Sequence, residues 1–335
     1  MKILIVRVGA MGDVLHALPG VAALRIARPD WQIDWVVNPR WVPLLVDAQG
    51  TGPIVNRVHL AETNLWSKSP ASPATLRSIL ELRRGLRRER YDLVVDMQGT
   101  LRSSVIGWMA GAPQLAGYSD PRERLAAWFY SRRMERKGTH VVEQGAALLG
   151  QATGIELSPA EVVLPRDPDA EAWAEKAVRS RPLLMLAPGA GWGGKQWPAE
   201  RFGEVARQTM LKQSDCVVNA SSTDDVLAAR VVGASDGAAR MIACSVAQLV
   251  ALMRRTDLFV GGDSGPTHLA AAQAVPLVAL FGPTDPARNG PWGPGAKTVL
   301  RDPASRTSYK RVGTVDAGLE NIQVNAVIEA LSRLI

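Results

Sequence analysis

Short apolar runs alternate with longer stretches in which apolar residues recur every three or four positions, and the alternation persists along most of the chain. Residues 2–8 (KILIVRV) predict a buried strand. Residues 13–28 predict a helix with Val14, Leu15, Leu18, Val21, Ala22 and Leu24 on its apolar face and an irregularity at Pro19. Strands follow at 32–37 and 54–60, then a helix at 73–90, a strand at 91–96 and a helix departing after Gly99. Further helices are expected at 121–130 and 140–149. Strand and helix in strict alternation specify a parallel, doubly wound sheet.

Residues 154–168 interrupt the rhythm with Pro159, Pro165 and Pro168, as a linker does. The pattern then restarts. Strands are expected at 182–187, 216–219 and 238–242, with helices at 199–212, 224–232 and 245–254. Residues 257–260 read as a buried strand, 261–267 (GGDSGPT) as a glycine-rich loop, and 268–272 as the start of a helix with Pro266 in its first turn. A second glycine turn, residues 281–286 (FGPTDP), follows another strand. Residues 321–335 form an amphipathic helix. The expected organisation is a domain at 1–155, a linker at 156–168, a second domain at 169–320, and a terminal helix at 321–335 that packs back on the first domain. The fold class is α/β, with two Rossmann-like domains whose parallel sheets face a central cleft. Ligands in such folds bind at the carboxyl ends of the strands.

The 335 residues, 47% of them hydrophobic, suffice for two full cores. The longest apolar run, around 270–281, is broken by Gln273 and Pro276, so no membrane span is expected. Residues 1–6 read as a first core strand rather than a secretion signal. Cys216 and Cys244 are the only cysteines, which suits a reducing, cytoplasmic setting. No Cys/His cluster has metal-ligand spacing. The net charge of +7 suggests anionic partners. With four Tyr, four Phe and no recognisable binding motif, nucleic acid is not among them. A membrane surface and phosphorylated substrates stay open.

The loop at 261–267, between strand and helix, has the geometry that holds phosphate with backbone amides and the helix dipole; it also suits an ordinary tight turn. The first strand-to-helix turn (RVGAMGD, residues 7–13) lacks the spacing of a dinucleotide fingerprint. Its Asp13, at a helix start, fits an N-cap, a general base, or both. In the loop at 187–198, Lys195 is followed by Gln196 and Trp197 rather than a magnesium-binding hydroxyl, so this is no Walker loop. The lysine suits a pyrophosphate or simple solvation. Arg83, Arg84, Arg87 and Arg88 share one face of the 73–90 helix, as a solvated face or an acceptor site.

Taken together, Met11-Gly12-Asp13-Val14-Leu15-His16, Asp96-Met97-Gln98-Gly99, Arg122-Glu123-Arg124-Leu125-Ala126 with Phe129-Tyr130, Lys195-Gln196-Trp197-Pro198, Asp263 to His268 and Phe281 to Pro286 resemble glycosyltransferase family 9, the heptosyltransferases, of GT-B architecture. The resemblance implies inverting transfer of L-glycero-D-manno-heptose from ADP-heptose to a Kdo sugar of the lipopolysaccharide inner core. No cofactor or metal is implied. It makes Asp13 the base. Lys195, Asp263, Ser264, Gly265, Pro266, Thr267 and His268 become donor ligands, with Asp225, or equally its neighbour Asp224, near the ribose and the backbone around Cys244 flanking the adenine. Arg122 with Arg83, Arg84, Arg87 and Gln98 would serve the acceptor. The loop before Lys195 departs from the family in holding Ala190 and Gly191 where hydroxyls are usual, so phosphate contacts at Gly191 would be backbone amides. A Kdo-lipid A acceptor implies work at the inner face of an anionic membrane. Competing readings are a GT-B relative with another donor or acceptor, a nucleotide-sugar epimerase, and a non-catalytic sugar or nucleotide binder.

Overall fold

The computed structural model describes residues 1–209, 214–310 and 313–334. The chain divides into two compact units, Met1–Pro165 and Arg166–Ile335. In the first, strands β1 (Lys2–Val6), β2 (Gln32–Val37), β3 (Arg57–Leu60), β4 (Leu93–Asp96), β5 (Gln114–Tyr118) and β6 (Arg132–Met134) form one sheet, ordered β3-β2-β1-β4-β5-β6. Every pairing is parallel, and Val6 stands between Val36 and Asp96. β1, apolar on both faces, is buried along most of its length because helices cover the sheet on both sides.

One face buries Leu4, Val6, Val36 and Val94 against Leu82 and Leu86 of the helix Pro73–Glu89 and Ile106 and Met109 of the helix Leu101–Met109. On the other side, the helices Met11–Ala27 and Val141–Thr153 pack against each other. Their backbones meet at Gly20, where an added Cβ would lie 3.0 Å from the Ala146 backbone. Pro19 does not interrupt the first of these helices, which runs unbroken through it. Instead the Pro19 carbonyl accepts the Ala160 amide at 3.0 Å. That contact corrects the linker: residues 156–165 lie on the first unit, and the helix Pro168–Ala177 belongs to the second.

The second sheet is built from β7 (Leu183–Ala187), β8 (Asp215–Ala220), β9 (Arg240–Ala243), β10 (Leu258–Gly262), β11 (Leu277–Phe281) and β12 (Lys297–Arg301), ordered β12-β11-β10-β7-β8-β9 and again parallel. Trp197 and Phe202 meet edge to face at 5.0 Å in its core. The terminal helix, Val324–Ser332, buries Val327, Ala330 and Leu331 in that same core. The expectation that it packs back on the first domain is therefore corrected: its apolar face is used within the second unit. Trp197 fixes the approach, its indole N–H donating to the Ile322 carbonyl at 3.0 Å. Lys212 and Ile335, the expected ends of two helices, lie outside the described residues. The helix expected at 121–130 is a shorter 3₁₀ turn, Arg124–Phe129, flanked by β5 and β6, which the apolar pattern does not announce.

Candidate active site

In each sheet the strand order reverses once, between β1 and β4 in the first and between β7 and β10 in the second. At such a point neighbouring loops leave in opposite directions and open a crevice at the strand ends. Asp13, Gln98 and Arg122 lie at the first of these places, and Lys195 and residues 263–268 at the second.

At the first, β1 runs out into Arg7 and the helix begins at Met11, two residues before Asp13. Asp13 is therefore the third residue of the helix rather than its N-cap. Its carboxylate folds back, Oδ2 accepting the Ala10 amide at 3.0 Å, the return half of a capping box. Oδ1 is paired with Arg7 Nη2 at 2.7 Å, and Arg7 Nε donates to the Asp13 carbonyl at 3.2 Å. Another Arg7 nitrogen donates to the carbonyl of Met97, beyond β4. One guanidinium thus ties the two loops of the switch point together and holds the carboxylate between them. The side chain of Arg7 is 17% exposed and that of Asp13 40%, so the pair meets solvent through the acid.

Gln98 strengthens the same joint, its Oε1 accepting the Val8 amide at 2.8 Å. Asp96 shapes the loop from below. Fully buried, it accepts the amides of Gln98 and Gly99 at 2.8 and 3.1 Å and the hydroxyls of Ser103 and Tyr130 at 2.8 and 2.7 Å. Burial pushes the Asp96 carboxyl up, against those hydrogen bonds, and the adjoining Tyr130 hydroxyl is also pushed up, by burial and then by the carboxylate. Gly99, at φ +70°, lets the chain turn under the backbone of Arg122, whose nitrogen would sit 3.2 Å from an added Cβ. Arg122 is exposed beside it. Asp13, Gln98 and Arg122 therefore share one edge.

The other arginines do not join them. Arg87 and Arg88 occupy the last turn of the helix Pro73–Glu89, which leads into the start of β4, at the opposite edge of the sheet from Asp13. Arg87 donates to the Met109 carbonyl at 3.3 Å, at the end of the neighbouring helix. Arg83 and Arg84 stand exposed on the same helix, between one and two turns from its end.

At the second switch point β7 leads to the turn Gly193–Lys195 and β10 to the helix Gly265–Ala272. Lys195 is salt-bridged to Asp263, and both side chains are nearly buried. Its ammonium also lies 4.1 Å from the centre of the Trp192 ring. Thr284, from the loop after β11, donates to Asp263 Oδ2 at 2.7 Å, and His268 Nε2 lies 3.2 Å from Oδ1. Burial alone would push the Asp263 carboxyl up; His268 and then Lys195 outweigh it and hold the carboxyl well below the usual carboxylate range. The Lys195 carbonyl passes 3.0 Å from where a Cβ at Gly262 would lie, so glycine permits the two loops to approach.

The helix after β10 starts three residues earlier than expected, at Gly265, and Ser264 at its N-cap makes no side-chain capping bond. Pro266 has no amide, so Gly265 and Thr267 carry the first-turn N–H groups for which the helix has no internal acceptor. The Thr267 hydroxyl donates to the Gly262 carbonyl. A Cβ at Gly191 would meet nothing within 4 Å, so packing does not demand glycine there.

Two residues expected from the sequence to touch the donor have local duties. Asp225 is the N-cap of the helix Val226–Ala234, accepting the amides of Leu227 and Ala228 at 3.0 and 3.1 Å through one oxygen and the amide and hydroxyl of Ser221 at 2.9 and 2.8 Å through the other. Both oxygens are engaged in this cap; Asp224 beside it is fully exposed. Cys244 lies between β9 and Ser245, the cap of the next helix. Burial pushes its thiol up to about 11, and that of Cys216 up to about 12. Sequence reasoning missed Arg7 and Thr284. Arg7 had a readable signal, a lone cation closing an apolar strand just before a glycine turn. Among the described residues no three His, Cys, Asp or Glu side chains come together as a metal site.

The first unit's switch point supplies an oriented carboxylate. The second unit's switch point supplies a lysine, a histidine and free amides that suit an anion. A family model described as glycosyltransferase family 9 (heptosyltransferase) matches residues 79–315, a span that includes Gln98, Arg122, Lys195 and Asp263 and begins beyond Asp13. The chain is 31% identical over 211 residues to lipopolysaccharide heptosyltransferase 1 of Pseudomonas aeruginosa, covering 62% of this chain and 58% of that protein. It thus spans a little over half the length of that relative. Two solved structures of the E. coli heptosyltransferase WaaC are similar throughout. The one with ADP has a TM-score of 0.82 at 22% identity over 100% of both chains. The one with ADP-2-deoxy-2-fluoro heptose has 0.78 at 23% identity over 99% of both. At that identity the likeness shows the fold, the GT-B architecture expected from the sequence.

Proposed function

We propose that this chain, which belongs to glycosyltransferase family 9 (heptosyltransferase), moves L-glycero-D-manno-heptose from ADP-heptose to a Kdo residue of the lipopolysaccharide inner core with inversion. The observation that carries the reading is the clamp on Asp13: an arginine and an amide fix its carboxyl group while the side chain stays 40% exposed. In the reaction it takes the proton of the acceptor hydroxyl as that oxygen attacks the anomeric carbon. The bond to the diphosphate breaks on the opposite face, and configuration inverts. Negative charge then grows on the leaving ADP, where Lys195 and the amides of Gly265 and Thr267 supply cationic and dipolar stabilisation. Asp263 and His268 stand beside them for the sugar and the diphosphate. The similarity to a heptosyltransferase of Pseudomonas aeruginosa and to WaaC bound to ADP and to ADP-2-deoxy-2-fluoro heptose supports the donor. The chemistry as written calls for no cofactor. Gln98 and Arg122 are assigned to the acceptor on their closeness to the Asp13 loop.

The acceptor, Kdo-lipid A, is a membrane lipid, so the enzyme is taken to work in the cytoplasm at an anionic inner-membrane surface. A net charge of +7 favours that surface. Among the described residues no helix is long and apolar enough to cross a membrane.

Incubation with ADP-heptose and heptose-free Kdo-lipid A, followed by mass spectrometry, tests the reading. A gain of one heptose is expected; free hydrolysis or an epimerised donor would refute it. Asp13→Ala should abolish turnover and leave ADP binding intact. Near wild-type turnover in that variant would remove Asp13 from the role of base.

A further inference from the structure

The outer face of the helix Leu101–Met109 is apolar where solvent should favour polar residues. Leu101, Val105 and Trp108 line up at helical spacing, with Leu101 37% and Trp108 56% exposed. Beside it the turn Arg124–Phe129 exposes Leu125 at 47% and Trp128 at 79%. The rings of Trp108 and Phe129 meet edge-on at 6.3 Å and join the two elements into one patch. The core does not require this face, since the same elements already bury Ile106, Met109, Ala126 and Tyr130. A single exposed leucine is ordinary, but adjoining large side chains including two indoles mark an interaction surface.

The rim identifies the partner. Arg102, Arg122 and Arg124 are exposed around the patch. The intervening acid, Glu123, is occupied by the Leu101 amide at 2.8 Å. Indoles and leucines ringed by arginines have the composition that settles at a lipid–water interface carrying negative charge.

We propose that this patch is the surface by which the first unit docks on an anionic lipid bilayer. Trp108 and Trp128 lie at headgroup depth, and the arginines pair with lipid phosphates. The inference rests on the reading that the acceptor is membrane-borne, and it adds where contact is made. The patch runs into Arg122, which lies over Gly99 next to Gln98. Docking therefore brings the bilayer to the edge of the first sheet that carries Asp13.

The test is flotation of the full chain with vesicles of phosphatidylglycerol and phosphatidylethanolamine, and with vesicles of phosphatidylcholine alone, at low and high salt. Tryptophan emission and its quenching by brominated lipid are read in parallel. The wild type should float with the anionic vesicles, less so at high salt, with a blue-shifted, quenched emission. Trp128→Ser should weaken partitioning about tenfold and Trp108→Ser/Trp128→Ser about a hundredfold, since a half-inserted indole buries on the order of 60 Å² of apolar surface. Transfer to a water-soluble Kdo acceptor should be unchanged in both. Variants that float like the wild type would overturn the patch and leave the membrane reading standing. A wild type that floats with neither vesicle would overturn both. Loss of transfer to the soluble acceptor, or a shift from dimer to monomer on gel filtration without any vesicle binding by the wild type, would also overturn the patch, the latter in favour of self-association. Failure of the wild type to transfer heptose to any acceptor, with flotation intact, would sink the proposed reaction alone.

Discussion

Replacing Asp263 by asparagine separates two roles of one carboxylate. In the unliganded protein it bonds Lys195, His268 and Thr284, and its side chain is 8% exposed. Asparagine keeps the shape and one acceptor but leaves the nearly buried lysine without its counter-ion. Breaking such a pair costs about 3–5 kcal/mol; because this one stands at a loop edge, about 3 kcal/mol is expected. For a unit of this size that lowers the melting temperature by about 6–12 °C. The pH dependence follows from the direction of the shift. The folded carboxyl is held below its unfolded value of about 4, so the stabilisation is complete above that pH and is lost as pH falls toward and through the lower folded value. The wild type should therefore lose stability more steeply than the variant below about pH 4. ADP binding should move the other way. Asp263 and a diphosphate compete for the same ammonium, so the variant should bind ADP at least as tightly as the wild type. Calorimetric melting from pH 7 down to acid, with titration of ADP at neutral pH, reads both effects. Melting within about 1 °C of the wild type would refute the buried pair as a stabilising element. ADP affinity lowered more than about tenfold would refute the competition.

Arg7→Met should lower kcat by about 10- to 100-fold with the donor KM little changed, because a misplaced base costs rate rather than binding. Steady-state kinetics with varied ADP-heptose check it, and a raised donor KM at unchanged kcat would contradict it. Tyr130→Phe removes a donor from buried Asp96 and should cost about 1–3 kcal/mol, measured by urea unfolding. Its active-site effect should be a fall in turnover through the loop that carries Gln98, with ADP binding preserved.

Much of the fold was readable because a doubly wound sheet writes itself as apolar runs between periodic stretches. β1, β2, β4, β7 and β10 are such runs, and the switch points lie among them. β5, β6 and β12 were not readable. β5 carries a glycine whose face is filled by the Tyr130 ring, and β6 and β12 are edge strands rich in arginine and lysine, where burial imposes no pattern. Pro19 was misjudged because a helix packed along its length tolerates one lost hydrogen bond. At the site, local signals served for Lys195 and the loop after β10. Asp225 could have been read as a cap, standing before the apolar run that opens its helix. Thr284 could not be placed, since only tertiary structure brings the loop after β11 to Asp263.

The seat of the helix Val324–Ser332 bears on how the protein is made. Trp197, two residues past Lys195, is anchored by the Ile322 carbonyl, and Arg201 donates to the same oxygen at 2.8 Å. The loop bearing Lys195 can settle only after the ribosome has delivered residues more than a hundred positions downstream. The first sheet draws all six strands from the opening 134 residues and is free of that wait, so the unit bearing Asp13 can mature while its counterpart is still being translated.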